Sequence, residues 1–488
     1  MKVYLENTDK KYAVSDMLQL YFPQDKLEFS ENSLNENKSI NVFSSEKCGK
    51  YFYKAELYLA LNGTDTKKYE YQIENNEFKK SDVKYCIFKA FEKAYGKDLN
   101  PPWGILTGIR PSKNACAMYE SGKTDDEISK ILKEDYLVSD RKIKLVKEVA
   151  KNERRIIKNL KKDKISLYVS IPFCPTRCLY CSFISQSVAH AAKLFDPYIK
   201  ALFKEIEETA KIVKDYEIET VYIGGGTPTT LSAELISSLI KKLKSEFDLS
   251  KITEFTVEAG RPDTIDEEKL LALKENGVTR ISINPQTMND KTLKIIGRRH
   301  SADDITEKFN LARKIGFSHI NMDLIAGLPK ETLSDFKYSL DTVSSLNPDS
   351  ITVHSLCVKH GSYLDEMFRR DEITKNTYAS DMIDYAVSEM EKSGKVPYYM
   401  YRQKNMAGNL ENIGFCNPGC ECYYNIYIMQ EVQTIVSLGA GGSTKLVSDE
   451  SIERVFNVKE VSEYINRIDE MIDRKKRLLA ADKTEKQI

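Results

Sequence analysis

From Leu167 onwards the chain alternates short apolar runs with amphipathic segments of helical period, and this pattern restricts the fold more than any other feature. Segments such as Tyr198–Asp215 and Ala233–Glu246 carry apolar residues on one helical face. Such alternation predicts an α/β fold with a parallel sheet, and six units predict a partial (β/α)6 TIM-like barrel. The predicted strands are Leu167–Ile171, Thr220–Ile223, Phe255–Val257, Arg280–Ile283, Ile320–Leu324 and Ile351–Val353.

The regions on either side of this pattern differ from it in composition. Four short strand-like runs and the amphipathic segment Asp82–Tyr95 predict a small α+β domain at the N-terminus. Residues 140–164 contain 11 Lys/Arg and 4 Asp/Glu, which predicts a basic helix. The predicted domains are an N-terminal α+β domain (1–135), a basic linker helix (136–165), the partial barrel (166–365), a C-terminal cap domain (366–480) and a frayed tail (481–488).

The charge balance limits the classes of partner. Lys plus Arg and Asp plus Glu number 73 each, so the chain does not coat nucleic acid by bulk charge. A solvated face explains the basic helix best, while RNA contact by that helix stays open. The first ten residues lack a signal-peptide pattern, and no run approaches the apolar length of a membrane span. We therefore expect a cytoplasmic protein with no membrane partner, and a nucleic-acid partner is the less favoured alternative.

Three cysteines follow the first predicted strand. Cys174, Cys178 and Cys181 have the spacing C-x3-C-x2-C, and the next cysteine is Cys357. Structural zinc sites and ferredoxin-type clusters take four protein ligands, whereas three thiolates on a four-iron cluster leave one iron open. The loop therefore predicts a [4Fe–4S] cluster whose open iron binds S-adenosylmethionine, the source of an organic radical.

A glycine run and isolated polar residues follow the later strands. Residues 224–227, Gly-Gly-Gly-Thr, come directly after the second strand, where glycine lets the backbone approach a ligand closely. Glu258, Gln286 and Asp323 stand at or near the ends of the third, fourth and fifth strands. A carboxylate within an apolar run needs a partner. Because chemistry in such barrels lies at the carboxyl ends of the strands, these residues are predicted to form one site.

These motifs resemble a known family. The segment 168–174, the cysteine loop, the turn 224–229, Arg298 and the run 323–329 are similar to the radical S-adenosylmethionine (radical SAM) enzymes of the oxygen-independent coproporphyrinogen III oxidase (dehydrogenase) superfamily. The segment Leu106–Lys113 in the long N-terminal region is similar to its Firmicutes-type branch. The resemblance implies a partial radical SAM barrel with a C-terminal cap, a [4Fe–4S] cluster and S-adenosyl-L-methionine.

The resemblance also implies roles for individual residues. The cluster ligands would be Cys174, Cys178 and Cys181. The residues binding the cofactor would be Tyr180 and Ile325 at the adenine, Gly225, Gly226 and Thr227 at the methionine end, and Glu258, Gln286, Arg298 and Asp323 at the charged groups and ribose. Tyr168 would lie beside the cofactor and face the substrate, as the catalytic residue. The family also uses a second S-adenosylmethionine, near which Gln403 falls.

The implied activity is that of an oxidoreductase in anaerobic haem and porphyrin biosynthesis. Two propionates of coproporphyrinogen III would be decarboxylated to the vinyl groups of protoporphyrinogen IX, with an electron donor such as ferredoxin or flavodoxin. Arg402, Lys404 and Arg110 are candidates to hold the propionates of this tetrapyrrole, since buried carboxylates need cationic partners. A haem chaperone, radical methyl transfer to haem or its degradation, and RNA modification are the alternatives.

Some positions depart from the family pattern. The best-characterised oxidases have histidine where this chain has Ser170 and a fourth cysteine where it has Phe183. The chaperone branch has an aspartate where this chain has Ser182. These differences concern the substrate and the second cofactor. A second cysteine group, Cys416, Cys420 and Cys422, resembles a cap loop that needs no metal, so we expect ordinary thiols there.

Overall fold

Two units are distinguished in the computed structural model of the chain. The first unit contains Met1–Glu148 and Arg402–Leu410, and the second contains Val149–Tyr401 and Glu411–Ile488. The boundary at residue 148 lies inside a helix, and residues 402–410 of the predicted cap belong to the first unit. The structure describes the whole chain except residues 9, 23–24, 62–64, 80, 182–185, 358–361, 370–377, 404–409, 449 and 486–488.

The first unit has the predicted α+β architecture. Its elements are β1 (Lys2–Glu6), α1 (Lys11–Tyr21), β2 (Glu28–Ser30), β3 (Ser39–Lys47), β4 (Lys50–Leu59), β5 (Lys67–Asn75), α2 (Asp82–Tyr95), α3 (Pro111–Glu120), α4 (Asp125–Glu134) and the start of α5 (Asp140–Ile157). The sheet has the order β2-β1-β3-β4-β5, parallel around β1 and antiparallel from β3 to β5. Met17 of α1 and Phe91 of α2 are buried in the core that these helices share with the sheet.

The second unit alternates strands and helices as the sequence predicts. Its elements are β6 (Lys164–Ile171), β7 (Phe173–Cys174), β8 (Gln186–Ser187), α6 (Val188–Ala191), α7 (Phe195–Ile212), β9 (Glu217–Gly225), α8 (Ala233–Glu246), β10 (Glu254–Gly260), α9 (Glu267–Glu275), β11 (Arg280–Ile283), α10 (Asp290–Ile295), α11 (Ala302–Ile315), β12 (His319–Ala326), α12 (Leu333–Ser345), β13 (Ser350–Ser355), α13 (Tyr363–Arg369), α14 (Ala379–Lys392), β14 (Val396–Tyr401), β15 (Asn412–Cys416), α15 (Tyr423–Gln430), β16 (Ile435–Leu438), β17 (Ser443–Val447), β18 (Ile452–Phe456), α16 (Val461–Asn466) and α17 (Ile468–Glu485).

One sheet organises this unit. Its order is β14-β15-β13-β12-β11-β10-β9-β6-β16-β17-β18, so the six predicted strands β6 and β9 to β13 are neighbours in chain order and parallel. Beyond β13 the sheet continues through the antiparallel strands β15 and β14, and beyond β6 through β16. The carboxyl ends of the six parallel strands therefore lie along one edge, as the sequence predicts for the site.

Four of the helices between the parallel strands begin at side-chain caps. Ser232, Asp266, Ser301 and Thr332 each accept a hydrogen bond from a backbone N–H in the first turn of α8, α9, α11 and α12, respectively. These caps fix where each helix starts after the loop that leaves a strand, and they leave the strand ends free to carry functional residues.

Two helices end at residues that differ from the predicted boundaries. The basic helix α5 ends at Ile157 rather than at residue 164, and α17 continues to Glu485 within the predicted frayed tail. Residues 486–488 of that tail lie outside the described part of the chain. Among the described residues, no helix is both long and apolar enough to span a membrane.

Candidate active site

The cysteine loop leaves the carboxyl end of β6 and is held there by the glycine turn after β9. The backbone N–H groups of Gly226 and Thr227 donate to the carbonyls of Ile171 and Phe173, both at 2.8 Å. A Cβ atom on Gly226 would lie 2.6 Å from the carbonyl oxygen of Phe173, so only glycine allows this approach. Because these two N–H groups already donate to backbone carbonyls, other atoms of the turn must make the predicted contacts with the cofactor.

The opposite side of the cysteine loop is fixed by the turn that follows α10. Leu179 donates its N–H to the carbonyl of Ile296 at 3.1 Å, and Thr176 Oγ1 donates to the carbonyl of Gly297 at 3.2 Å. The loop is therefore anchored on two sides by backbone contacts. Its shape does not depend on a bound cofactor alone.

The three thiols of the loop differ in burial but all lie at the same strand end. Cys178 is buried, whereas Cys174 and Cys181 are half-buried. Cys174 Sγ lies 3.3 Å from Thr227 Oγ1, and either atom can donate. The loop thus connects directly to the glycine turn through a side-chain contact.

The donor set of the loop is three thiols. In the described part of the chain, no three His, Cys, Asp or Glu side chains are arranged around one point as ligands of a metal ion. A structural zinc site takes four protein ligands, whereas three thiolates on a four-iron cluster leave one iron open for a further ligand. The residues present therefore fit a [4Fe–4S] cluster with Cys174, Cys178 and Cys181 as ligands.

A stack of tyrosines lies beside the strand ends. The ring centroid of Tyr168 on β6 lies 6.0 Å from that of Tyr222 on β9 and 6.0 Å from that of Tyr424 on α15. The ring centroids of Tyr222 and Tyr424 are 4.5 Å apart. All three pairs are stacked. Burial raises the pKa of Tyr168, and the neighbouring Glu258 adds to this effect, so Tyr168 is a neutral phenol at physiological pH.

Glu258, at the end of β10, faces this stack. Tyr222 Oη donates to Glu258 Oε1 at 2.7 Å. Burial raises the pKa of Glu258 to about 7, and nearby Asp323 adds to the rise, while the Tyr222 hydrogen bond and the Gly225 N–H oppose it. A carboxylate with so high a pKa is stabilised by a cation, which the ammonium or sulfonium of S-adenosylmethionine would supply.

The ends of β11 to β13 bring Gln286, Asp323 and His354 together. Gln286 has a φ angle of +68°. Its backbone N–H donates to the Asp323 carbonyl at 2.8 Å, and its carbonyl accepts from the Ile325 N–H at 2.9 Å. A left-handed conformation at a non-glycine residue is strained and is found often at functional sites. Asp323 accepts from Asn321 Nδ2 at 2.7 Å, and His354 Nε2 lies 3.7 Å from its other oxygen.

Arg298, Tyr180 and Ile325 form the part of the site nearest the cysteine loop. Arg298 donates to the Asn284 carbonyl at 2.8 Å and to Tyr180 Oη at 3.2 Å. Tyr180 packs against the apolar cluster that contains Ile325. Tyr180 and Ile325, which are predicted to line the adenine, thus belong to one apolar surface.

Two predicted residues from the cap lie in the first unit instead. Gln403 belongs to that unit, and its contact with a second S-adenosylmethionine stays a prediction. Arg402 is buried, donates its N–H to the Ile109 carbonyl at 2.7 Å and stacks its guanidinium 5.5 Å from the Trp103 ring centroid. These contacts give Arg402 a role in holding the loop around Trp103. Lys404, Ser182 and Phe183 lie outside the described residues.

Sequence reasoning missed four residues of this region. Tyr222 and His354 interrupt the apolar runs of β9 and β13, and that polar interruption is the signal that could have indicated them. Arg261 follows Glu258 by three residues, and Tyr424 comes from α15, beyond the parallel strands. Only the fold shows that these two reach the strand ends.

The comparisons with known proteins show the family of the chain. The Radical SAM superfamily matches residues 168–343. The chain is 39% identical over 417 residues to the oxygen-independent coproporphyrinogen-III oxidase-like protein HemZ of Bacillus subtilis, covering 84% of this chain and 83% of that protein. The chain belongs to the family of radical SAM proteins that includes HemZ. Family members use a [4Fe–4S] cluster and S-adenosylmethionine, as the cysteine loop predicts.

Two further relatives indicate the range of the family. The haem chaperone HemW of Bacillus subtilis is 33% identical over 311 residues, which cover 62% of this chain and 76% of HemW. The solved structure of coproporphyrinogen III oxidase (HemN) from Escherichia coli, a radical SAM enzyme, has a TM-score of 0.53 and 25% identity, and the match covers 66% of this chain and 73% of HemN. The mixed α/β fold is thus shared, over about two thirds of this chain, with an enzyme of known structure.

Proposed function

We propose that the protein is a radical SAM oxidoreductase that decarboxylates the propionates of coproporphyrinogen III to vinyl groups. The observation that carries the proposal is the gathering, at one edge of the sheet, of the cysteine loop, Glu258 and Asp323 around a surface of stacked tyrosines. The substrate follows from the relatives HemZ and HemN, whose names refer to coproporphyrinogen III oxidase.

In this proposal the chain's own residues bind and orient the cofactors. Cys174, Cys178 and Cys181 hold the cluster, and the residues Tyr180, Gly225, Gly226, Thr227, Glu258, Gln286, Arg298, Asp323 and Ile325 bind S-adenosylmethionine. When bound, the cluster and S-adenosylmethionine would together supply the radical chemistry that removes a hydrogen atom from the substrate. Tyr168 stays neutral and, from its place in the tyrosine stack, lines the face open to substrate.

The proposed reaction balances with one external oxidant per propionate. Removal of a hydrogen atom from the β-carbon, loss of carbon dioxide and transfer of one electron to an acceptor leave a vinyl group. The hydrogen must lie about 3–3.5 Å from the radical centre for efficient transfer. A protein of the ferredoxin or flavodoxin type would supply the electron that reduces the cluster. Gln403 would contact a second S-adenosylmethionine.

A second candidate function is haem binding without turnover. Similarity to the haem chaperone HemW, at 33% identity, favours it. A chaperone would use the same fold to carry haem and would not release carbon dioxide.

The deciding experiment is anaerobic turnover of the reconstituted protein. Purified protein is supplied with reductant, S-adenosylmethionine, coproporphyrinogen III and a one-electron acceptor, and products are identified by mass. We expect mono- and divinyl products together with carbon dioxide and 5′-deoxyadenosine, and none of these from the variant with Cys174, Cys178 and Cys181 changed to Ala. Stoichiometric haem binding with no carbon dioxide release would instead establish the chaperone function.

A further inference from the structure

An irregularity at the end of β10 sends two charged side chains in different directions. The pairing register of β10 with β11 shifts between Glu258 and Gly260, and Gly260 has φ +59°. The Arg261 N–H closes the turn by donating to the Ala259 carbonyl at 2.6 Å. An extra residue in a strand re-aims the side chains that follow it. Glu258 consequently faces the tyrosines, while Arg261 reaches the cysteine loop.

The Arg261 guanidinium joins the loop to a carboxylate. Nε and Nη2 donate to the two oxygens of Asp263 at 2.9 and 2.8 Å, which is a bidentate pair. Nη1 donates to Thr176, at 2.8 Å to Oγ1 and 3.1 Å to the carbonyl, and it lies 3.8 Å from Cys178 Sγ. Arg261 is only 4% exposed, so water does not screen this charge strongly.

The other groups around Cys178 define the local charge. Arg298 also interacts with the Cys178 sulfur. His300 stands nearby, and burial, with Arg298 beside it, lowers the pKa of this imidazole to about 4, so it is neutral at physiological pH. The charges that interact with this sulfur are thus the guanidinium groups of Arg261, with its partner carboxylate Asp263, and of Arg298, and Arg177 precedes Cys178 in the chain.

We propose that Arg261 is a positioning residue that sets the reduction potential of the cluster, with Asp263 acting in the opposite direction. Reduction adds a negative charge to the cluster, and a buried cation close to a thiolate ligand stabilises that charge, while a carboxylate paired with that cation opposes it. The inference rests on the proposed function in one respect, because it takes Cys178 as a cluster ligand.

The test measures the midpoint potential of the cluster by a redox titration followed by electron paramagnetic resonance, without S-adenosylmethionine. Arg261→Gln removes the cation and should lower the potential, whereas Asp263→Asn removes the anion and should raise it. A tenfold change in the equilibrium constant for one-electron reduction corresponds to about 59 mV. We expect a shift of that order for Arg261→Gln and a smaller one for Asp263→Asn, because the Asp263 side chain is partly exposed to solvent. Arg261→Lys keeps the charge and should restore most of the wild-type potential.

Arg280→Gln is the matched control. Arg280 is 3% exposed and, like Arg261, sits beside a carboxylate, with Nε 3.5 Å from Glu254, but it donates to the Cys420 carbonyl at 2.7 Å and not to the cysteine loop. Its loss should destabilise the fold without moving the potential.

Opposite shifts for Arg261→Gln and Asp263→Asn would establish the inference, since a merely structural role would move both in one direction or neither. Equal potentials in the wild type and Asp263→Asn would overturn it, even if Arg261→Gln assembled no cluster. An equal shift in Arg280→Gln would also overturn it. Failure of the wild type itself to assemble a cluster would refute the proposed function instead.

Discussion

The two edges of the large sheet carry similar residues in different surroundings, and β10 has a glutamate at each end. At the amino edge, Glu254 accepts from Cys422 Sγ and from the Tyr423 N–H, both at 3.1 Å, beside Arg280. At the carboxyl edge, Glu258 is hydrogen-bonded to Tyr222 and the Gly225 N–H, and its pKa is raised to about 7. The amino edge is completed by contacts within the chain, whereas the carboxyl edge is suited to a cationic ligand.

The two cysteine groups follow the same division. Cys416, which pairs with Ser350 at the amino end of β13, and Cys422 are buried, and burial raises the pKa of both thiols. At the opposite edge Cys174 and Cys181 are half-buried and Cys178 is buried, whereas in the second group only Cys420 is half-buried. The thiols Cys416 and Cys422 are kept protonated by their raised pKa values, so the two groups differ in reactivity.

The largest effect is expected at the carboxyl edge. Changing Cys174, Cys178 and Cys181 together to Ala should remove the whole cluster, about four irons, because no other thiolate stands in this loop. Iron analysis and electron paramagnetic resonance after anaerobic reconstitution measure the loss. Normal iron content in this variant would refute the assignment.

Alkylation of the metal-free protein compares the two groups directly. At pH 8, iodoacetamide should modify Cys174 and Cys181 at least about a hundredfold faster than Cys416 and Cys422, whose pKa values are raised by burial. Mass spectrometry of peptides taken over time gives the rates, and protein unfolded in urea is the control in which the difference should vanish. Equal rates in the folded protein would contradict the comparison.

The pH dependence of the protein's stability tests the raised pKa of Glu258. Its folded-state pKa of about 7 exceeds the ordinary 4.5, so the stability it contributes is complete below pH 4.5 and is lost as the pH rises through 7. Glu258→Gln in the metal-free protein should therefore gain stability relative to wild type, by about 1–3 kcal/mol, between pH 5 and pH 8. Denaturant unfolding at both pH values measures it.

The raised pKa of Glu258 also predicts how the reconstituted protein binds S-adenosylmethionine as the pH changes. A cationic ligand ionises Glu258, so affinity should rise as the pH increases from 6 to 8 and should lose this dependence in Glu258→Gln. Isothermal titration calorimetry at three pH values tests this. An unchanged pH profile in the variant would show that Glu258 does not face the cation.

The smallest effect on iron is expected at the amino edge. Changing Cys416, Cys420 and Cys422 to Ser should leave the iron content unchanged and should lower stability by about 1–3 kcal/mol, because Ser places a more polar group in a buried site. Loss of about half of the iron would reveal an auxiliary cluster.

Local patterns were sufficient for the order of the fold. The six apolar runs became β6 and β9 to β13, and the segments 82–95 and 233–246 are helices with the predicted limits, because periodicity and capping act within a few residues. The observed end of α5 and the place of residues 402–410 differ from the predicted helix over 140–164 and the predicted cap, since local patterns do not report contacts distant in sequence.

The sequence by itself determined the cysteine loop, the glycine turn and the polar strand ends, because each is a local pattern at the end of a buried strand. The tertiary structure alone decided that Tyr424 stacks on Tyr168 and that Arg261 turns towards Cys178. It also decided that the second cysteine group lies at the opposite edge of the sheet. Packing between elements distant in the chain sets the direction and burial of each side chain, and burial determines which groups keep their reactivity.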